Sequence, residues 1–327
     1  MATPKTWKGY DPDFLDGFSI PIPDMGEWKN DLAINSETDK PELPFIYFSS
    51  FQSASRRLPL VTASNIYRDK WVQAGRDGQF KKDERIGDNE QFTPKIYTGI
   101  NKLQKESERK MAKGHMVRRE DVQWDINNNE EKAVEAAIAT FHYTNASPQH
   151  QALNNVIWKQ LENSILRRGR SREPYKAIVF TGPILDTKDP LLVIHDDQEE
   201  NKIKCPLRFW KIIYYVSEQD ELRYAAFIMS HKEEVEADGY VAKPLKLFEV
   251  YAPVEKPFLD FDEKEKYQVN ISLIEKLTGL KFKKAKEALE EGKSSKLSLK
   301  LVEHFKGGFM KTFDAFHDDD FVEGLVI

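Results

Sequence analysis

One cysteine, Cys205, is all that the 327 residues contain. That excludes an intramolecular disulfide and any multi-cysteine zinc site, and it suits a reducing compartment. Long apolar runs are missing as well: nothing approaches the about 20 residues a membrane-spanning helix needs. Met1 to Tyr10 is polar, with no apolar segment behind its scattered lysines, so the reading expects a cytoplasmic protein with no secretory leader and no membrane partner. An excess of positive charge is also lacking, since the net charge is -5, which argues against a protein that coats nucleic acid. Apolar and aromatic residues are plentiful, at 40% and 12%, enough for a sizeable core in one large domain or two ordinary ones.

The charge is segregated along the chain. Lys102, Lys105, Arg109, Lys110, Lys113, Arg118 and Arg119 fall close together against Glu106 and Glu108, and Arg167, Arg168, Arg170 and Arg172 form a second basic stretch. Acidic runs sit elsewhere, at Asp196, Asp197, Glu199 and Glu200 and at Asp318 to Asp320. Taken alone, each run reads as a solvated face.

Residues 1–43, broken by Pro21, Pro23 and Pro41, read as an extended arm, with ordered structure expected from about Pro44. Strands are expected at Phe45 to Phe48, at Leu58 to Tyr67 with one face buried, at Gly114 to Arg119 and at Phe141 to Tyr143. Three more are expected at Ala177 to Thr181, Phe209 to Val216 and Arg223 to Met229. Helices are expected in a polar stretch before Glu106, at Glu130 to Ala139, from Gln151 to Leu166 and at Ile271 to Leu280. Long, irregular connections favour an α+β fold around a central, mainly antiparallel sheet flanked by helices. Residues 44–282 form the expected domain, and 283–327 a charged helical extension.

The stretch that carries chemistry runs from Lys113 to Glu162. On a helix, Asn154, Trp158, Leu161 and Glu162 share one stripe, so an amide oxygen and a carboxylate stand two turns apart on one face. A hard amide ligand with a carboxylate one shell out suits Mg²⁺, which keeps its waters. His115 lies on the preceding strand among Lys113, Arg118 and Arg119, a titratable base beside cations that can hold a phosphodiester. Water deprotonated by His115 would attack phosphorus, with the metal at Asn154 stabilising the phosphoryl charge and the departing 3′ oxygen. Each member also has an ordinary structural reading; the ordered combination is what points to catalysis.

These residues resemble those of the DNA/RNA non-specific endonucleases, the Serratia-nuclease-like group of ββα-metal nucleases. The matching residues are Gly114-His115, Asn145-Ala146-Ser147-Pro148-Gln149, and Asn154, Trp158, Leu161 and Glu162. Phe180 to Pro183, Phe209 to Lys211 and Ile274 to Leu280 look like later signatures of that family, so the resemblance covers roughly Pro44 to Phe282. It implies a ββα-metal site with His115 as general base, Asn154 as the direct protein ligand to a hydrated Mg²⁺ that Mn²⁺ can replace, and Glu162 orienting metal-bound water. It implies that Asn145 positions the histidine and the substrate; Lys113, Arg118 and Arg119 are expected to bind phosphate from their place beside His115. Ala112 and Lys113 stand where the family usually has Asp and Arg, and lysine keeps the charge but not the bidentate fork. An additional upstream substrate-binding arginine has two candidates, Arg76 and Arg85.

The expected activity is Mg²⁺-dependent, sequence-tolerant cutting of DNA, with RNA as a further substrate, to 5′-phosphate and 3′-hydroxyl ends. Alternatives are a weakened nuclease-fold scaffold or binding subunit and a phosphodiesterase or phosphatase for small substrates. A nuclease kept inside its cell also calls for a regulatory or inhibitory protein partner, as in a defence or toxin system.

Overall fold

A computed structural model describes residues 7–73, 75, 78–153, 176–195, 203–217, 219–241, 267–283 and 288–290. Its frame is an eight-stranded sheet. Strands β1 (Glu42–Pro44), β2 (Phe48–Ser53) and β3 (Leu58–Tyr67) form an antiparallel meander. The small strands β4 (Met111–His115) and β5 (Ala146–His150) pair with each other outside this sheet. The frame resumes with β6 (Lys176–Ile184) beside β3, then β7 (Arg208–Val216) and β8 (Leu222–Ser230), all antiparallel. Two short strands, β9 (Tyr267–Gln268) and β10 (Leu289–Glu290), pair with β8, the latter in parallel.

The expected α+β architecture around a largely antiparallel sheet is therefore what the chain adopts. Its central strands are buried on both faces rather than one. Alternation sends Ile178, Phe180, Trp210, Ile212, Ala226 and Ile228 into one apolar cluster. It sends Ala177, Val179, Phe209, Ile213, Ala225 and Phe227 into another. Such doubly covered strands read as unbroken apolar runs. The polar residues of β3 survive burial through hydrogen bonds: Thr62 Oγ1 donates to the Thr181 carbonyl at 3.1 Å, and Asn65 exchanges two bonds with the backbone of Asp11.

Helices α1 (Pro94–Ile100), α2 (Glu130–Ala139), α3 (Lys232–Ala237) and α4 (Ile271–Thr278) flank the sheet. Asn129 caps α2 by accepting from the Lys132 amide, with Glu130 and Glu131 at the positive end of the helix dipole. The helix expected before Glu106 ends at Ile100 and is not polar; it buries Ile96, Tyr97 and Ile100. Phe45 to Tyr47 is the turn between β1 and β2 instead of a strand, with Tyr47 at φ +66°. Order also begins well before Pro44. Tyr10, Leu15, Ile20 and Met25 bury apolar side chains in the core. Asp24 pairs with Lys281 through two backbone bonds of 2.9 Å, and Trp28 Nε1 donates to the Thr278 carbonyl at 2.8 Å. The N-terminal arm is thus tied to α4, an element far away in sequence. In the C-terminal extension Leu289–Glu290 is strand where a helix was expected, and residues 291–327 lie outside the described residues.

Candidate active site

The β4–β5 pair carries the candidate base. His115 ends β4 opposite Ala146, and Lys113 stands opposite Pro148, so side chains two residues apart share one face. The strand expected at Gly114 to Arg119 starts earlier and stops at His115. The strand expected at Phe141 to Tyr143 is displaced onto Ala146–His150, so the Asn-x-x-Pro-Gln motif itself supplies β5. Proline is tolerated there because a two-stranded ribbon is all edge. Residues 151–153 are already helical. Asn154 and Glu162, the expected metal ligand and water-orienting carboxylate, lie outside the described residues, as do Trp158 and Arg76.

The His115 ring packs edge-on to Phe141 with centroids 4.8 Å apart, and against Phe80 at the same 4.8 Å. Its Nε2 is buried and has no hydrogen-bond partner among the described residues. Burial, with a smaller contribution from the Arg119 charge, pulls its pKa down to about 4, while Glu120 opposes the shift. At neutral pH the imidazole is therefore uncharged and able to accept a proton. The other buried histidines are committed elsewhere. His142 Nδ1 bonds the Ala139 carbonyl at 2.8 Å, and His150 Nε2 bonds Asp238 at 2.8 Å. His231 Nε2 bonds the Pro206 carbonyl at 2.8 Å.

Lys113 sits in an aromatic cradle, its Nζ 5.4 Å from the Phe80 ring centroid, 5.9 Å from Tyr97 and 5.6 Å from Tyr143. Burial lowers its pKa, and the ring faces offset part of that cost by cation–π attraction. Phe80 touches both Lys113 and His115 and so spaces base from cation. Arg118 Nε pairs with Glu120 at 2.8 Å. Arg119 donates to the Gly75 carbonyl. Arg85, a candidate for phosphate contact, forks onto Asp83 at 2.8 and 2.7 Å and donates to the Pro44 carbonyl. It braces structure and presents no fork to a substrate.

Asn145 acts on the backbone. It is fully buried, its Oδ1 accepts from the Val117 amide, and its Nδ2 donates to the Val117 and Thr140 carbonyls, all at 2.9 Å. Its own carbonyl accepts from the Met116 amide at 2.9 Å. One side-chain N–H is spent on Val117, just past His115, and the other on Thr140. Phe80, Phe141 and Glu120 are neighbours of His115 that the sequence did not single out. Phe80 lies far upstream with no periodic cue, and Glu120 is hidden behind two arginines.

Gly114 explains the glycine before the histidine. A Cβ there would overlap the Gln149 carboxamide, the end of a fully buried side chain that would have to shift to admit it. Gly114→Ala is expected to cost about 1–3 kcal/mol, as overpacking of a core does. Urea melts would measure it, and a change under about 0.5 kcal/mol would contradict the overlap.

No three His, Cys, Asp or Glu side chains among the described residues converge into a metal cage. No helix among them is long and apolar enough to cross a membrane.

Residues 33–289 match the DNA/RNA non-specific endonuclease family. The chain is similar to an uncharacterized protein, y4fB, of Sinorhizobium fredii, with 30% identity over 236 residues, 69% of this chain and 33% of that protein. The chain thus spans about a third of that relative's length. Among solved structures it is similar to one from the crystal structure of the EndoG/EndoGI complex, which concerns the mechanism of EndoG inhibition. That match has a TM-score of 0.52 at 17% identity, over 78% of this chain and 94% of the other. Likeness at that identity concerns the fold.

Proposed function

Because the chain belongs to the DNA/RNA non-specific endonuclease family, we propose that it is a metal-dependent endonuclease cutting DNA, and RNA as a second substrate, with His115 as general base. The observation that carries this reading is the state of His115: half-buried against two phenylalanine rings, uncharged at neutral pH, and with its Nε2 enclosed and without a hydrogen-bond partner among the described residues. A structural histidine in the same fold looks like His231, bonded through both ring nitrogens.

In the proposed reaction His115 takes the proton from the attacking water. Phe80 and Phe141 shield the imidazole from bulk solvent and keep it neutral until it does so. Lys113 and Arg119 hold the phosphodiester by charge, without reading bases, which makes sequence preference weak. Asn145 fixes the backbone that aims His115. The residues fit a hydrated divalent ion, since the orphaned His115 Nε2 is a buried acceptor that a water can satisfy. Asn154, with Glu162 behind it, would hold the ion, Mg²⁺ or Mn²⁺. When bound, it supplies charge stabilisation for the phosphoryl oxygens and the departing 3′ oxygen. The products would carry 5′-phosphate and 3′-hydroxyl ends. A restraining protein partner belongs to the same proposal, supported by the similar fold having been solved in a complex that concerns inhibition.

Plasmid and single-stranded substrates incubated with the purified chain test it. Cutting is expected with Mg²⁺ and is expected to stop in excess EDTA. Cutting that survives EDTA would overturn the metal. Silence under every metal would leave the weakened scaffold as the better reading, a possibility motivated by Ala112 and by the cradled Lys113.

A further inference from the structure

A cavity of about 570 Å³ opens between the N-terminal arm and the segment leading into α2, with Trp7, Lys8, Asp11, Phe14, Tyr47 and Trp124 in its lining. None of its lining residues packs against the His115 ring. Two aromatic stacks end in it. Trp7 caps Phe45 at 5.4 Å, and Phe45 lies on Phe48 at 4.5 Å. Tyr47 lies on Trp124 at 3.7 Å and 17°, with Phe14 tilted against the same indole at 5.5 Å. The volume is in the range of small-ligand sites.

This arrangement is held at a cost. Tyr47 has φ +66°, a left-handed backbone that a residue with a bulky side chain rarely adopts. The positive φ belongs to the tight turn closed by the Phe45 amide on the Phe48 carbonyl at 2.8 Å, and the half-buried ring packs against the Phe45 and Phe48 cluster. The conformation is locked by the Asn65 amide donating to the Tyr47 carbonyl at 2.9 Å and by the Tyr47 hydroxyl donating to Asp125 at 3.0 Å. Asn65 also clamps the arm at Asp11.

The rim is close to neutral. Exposed Lys8 and Asp11 offer a donor and an acceptor, while Lys132 is paired with Asp125 at 3.1 Å. Rings that stack, with mixed hydrogen-bonding groups at the edge, favour a planar uncharged heterocycle over a simple ion.

We propose that this cavity binds a nucleobase, stacked on Trp7 and held at its edge by Lys8 and Asp11. The choice of a nucleobase over other planar rings rests on the nuclease reading. The base belongs either to a free nucleotide or to a single strand, since a base within a duplex keeps its faces covered by its neighbours.

The test uses the full chain carrying His115→Ala, in EDTA, so that nothing is cut. AMP, CMP, a short single strand of thymidylates and a duplex of equal length are titrated, with tryptophan fluorescence and calorimetry as readouts. Trp7→Ala is expected to weaken binding roughly 5- to 150-fold, the worth of stacking one base on an aromatic ring. Lys8→Glu, at an exposed position, gives a second reading should Trp7→Ala disturb folding, and weakening is expected there too. Mononucleotide binding that both variants weaken identifies a free nucleotide as the ligand, and weakening seen with the single strand alone identifies the strand. Absence of binding to all four probes, or binding that neither variant changes, overturns the inference. Base binding by a wild type that cuts nothing would leave this inference standing and remove the nuclease reading. Cutting without base binding would do the reverse.

Discussion

Replacing His115 by Ala is expected to reduce cleavage by about 10²- to 10⁴-fold, the usual contribution of a positioned general base, with little change in the amount of folded protein. The wild-type pH profile supplies the sharper check. A base whose pKa is pulled down to about 4 by burial stays neutral as the pH falls, so the rate should hold from pH 8 to near 5 and fall through about 4. An apparent pKa near the ordinary histidine value of about 6.5 would mean that the phenylalanine shield does not act as described. Folding must be followed alongside. His142 and His231 are also pulled down to about 4 by burial. For a group with a lowered folded pKa, the unfolded chain takes up protons first as the pH drops. Stability is therefore complete above about 6.5 and erodes between there and about 4. Circular dichroism at each pH separates loss of the base from loss of the fold.

Asn145→Asp is expected to be among the most destabilising single substitutions in the described structure. The two carbonyls that now accept from Nδ2, of Val117 and Thr140, would face a carboxylate oxygen in a fully buried site. Two lost hydrogen bonds and a buried unpaired charge sum to roughly 5 kcal/mol or more, a large share of what holds a domain together. Thermal melts should show a fall of about ten degrees or failure to express as folded protein. A variant melting within about two degrees of the wild type would mean that the amide does not brace the chain beside His115. Asn145→Ala should fall between the two, since it strands the same backbone groups without adding a charge.

Sequence and structure agree where one local rule dominates. Glu130–Ala139 has an Asn cap and an acidic first turn, and its helix runs over the expected span. Leu58–Tyr67 likewise runs as expected, because apolar and β-branched residues crowd it. Agreement fails where tertiary packing decides. Ala146 to His150 has neither alternation nor strand composition, and Pro148 argues for a break; the stretch is a strand because Met111–His115 lies beside it. The proline-rich arm was expected to wrap the domain with order beginning near Pro44, yet its anchors Tyr10, Leu15 and Ile20 are core residues. At the site, His115 and Lys113 were legible as members of an ordered motif. The aromatic shell of Phe80, Phe141 and Tyr143 was not, because it assembles residues from separate segments around one ring.

Strands β3 and β6 are neighbours in the sheet, yet the whole β4–β5 ribbon lies between them in the chain. Synthesis at about 5–20 residues per second takes roughly 5 to 20 seconds to cross that interval of about a hundred residues. Throughout it the outer edge of β3 has no strand to pair with, the kind of edge that recruits other chains or a chaperone. Met116, next to His115, packs among residues of β6, β7 and β8, all of which are made later. A chain still on the ribosome therefore carries His115 before it carries the strands against which its neighbour Met116 packs, and the order of translation itself delays completion of this part of the core.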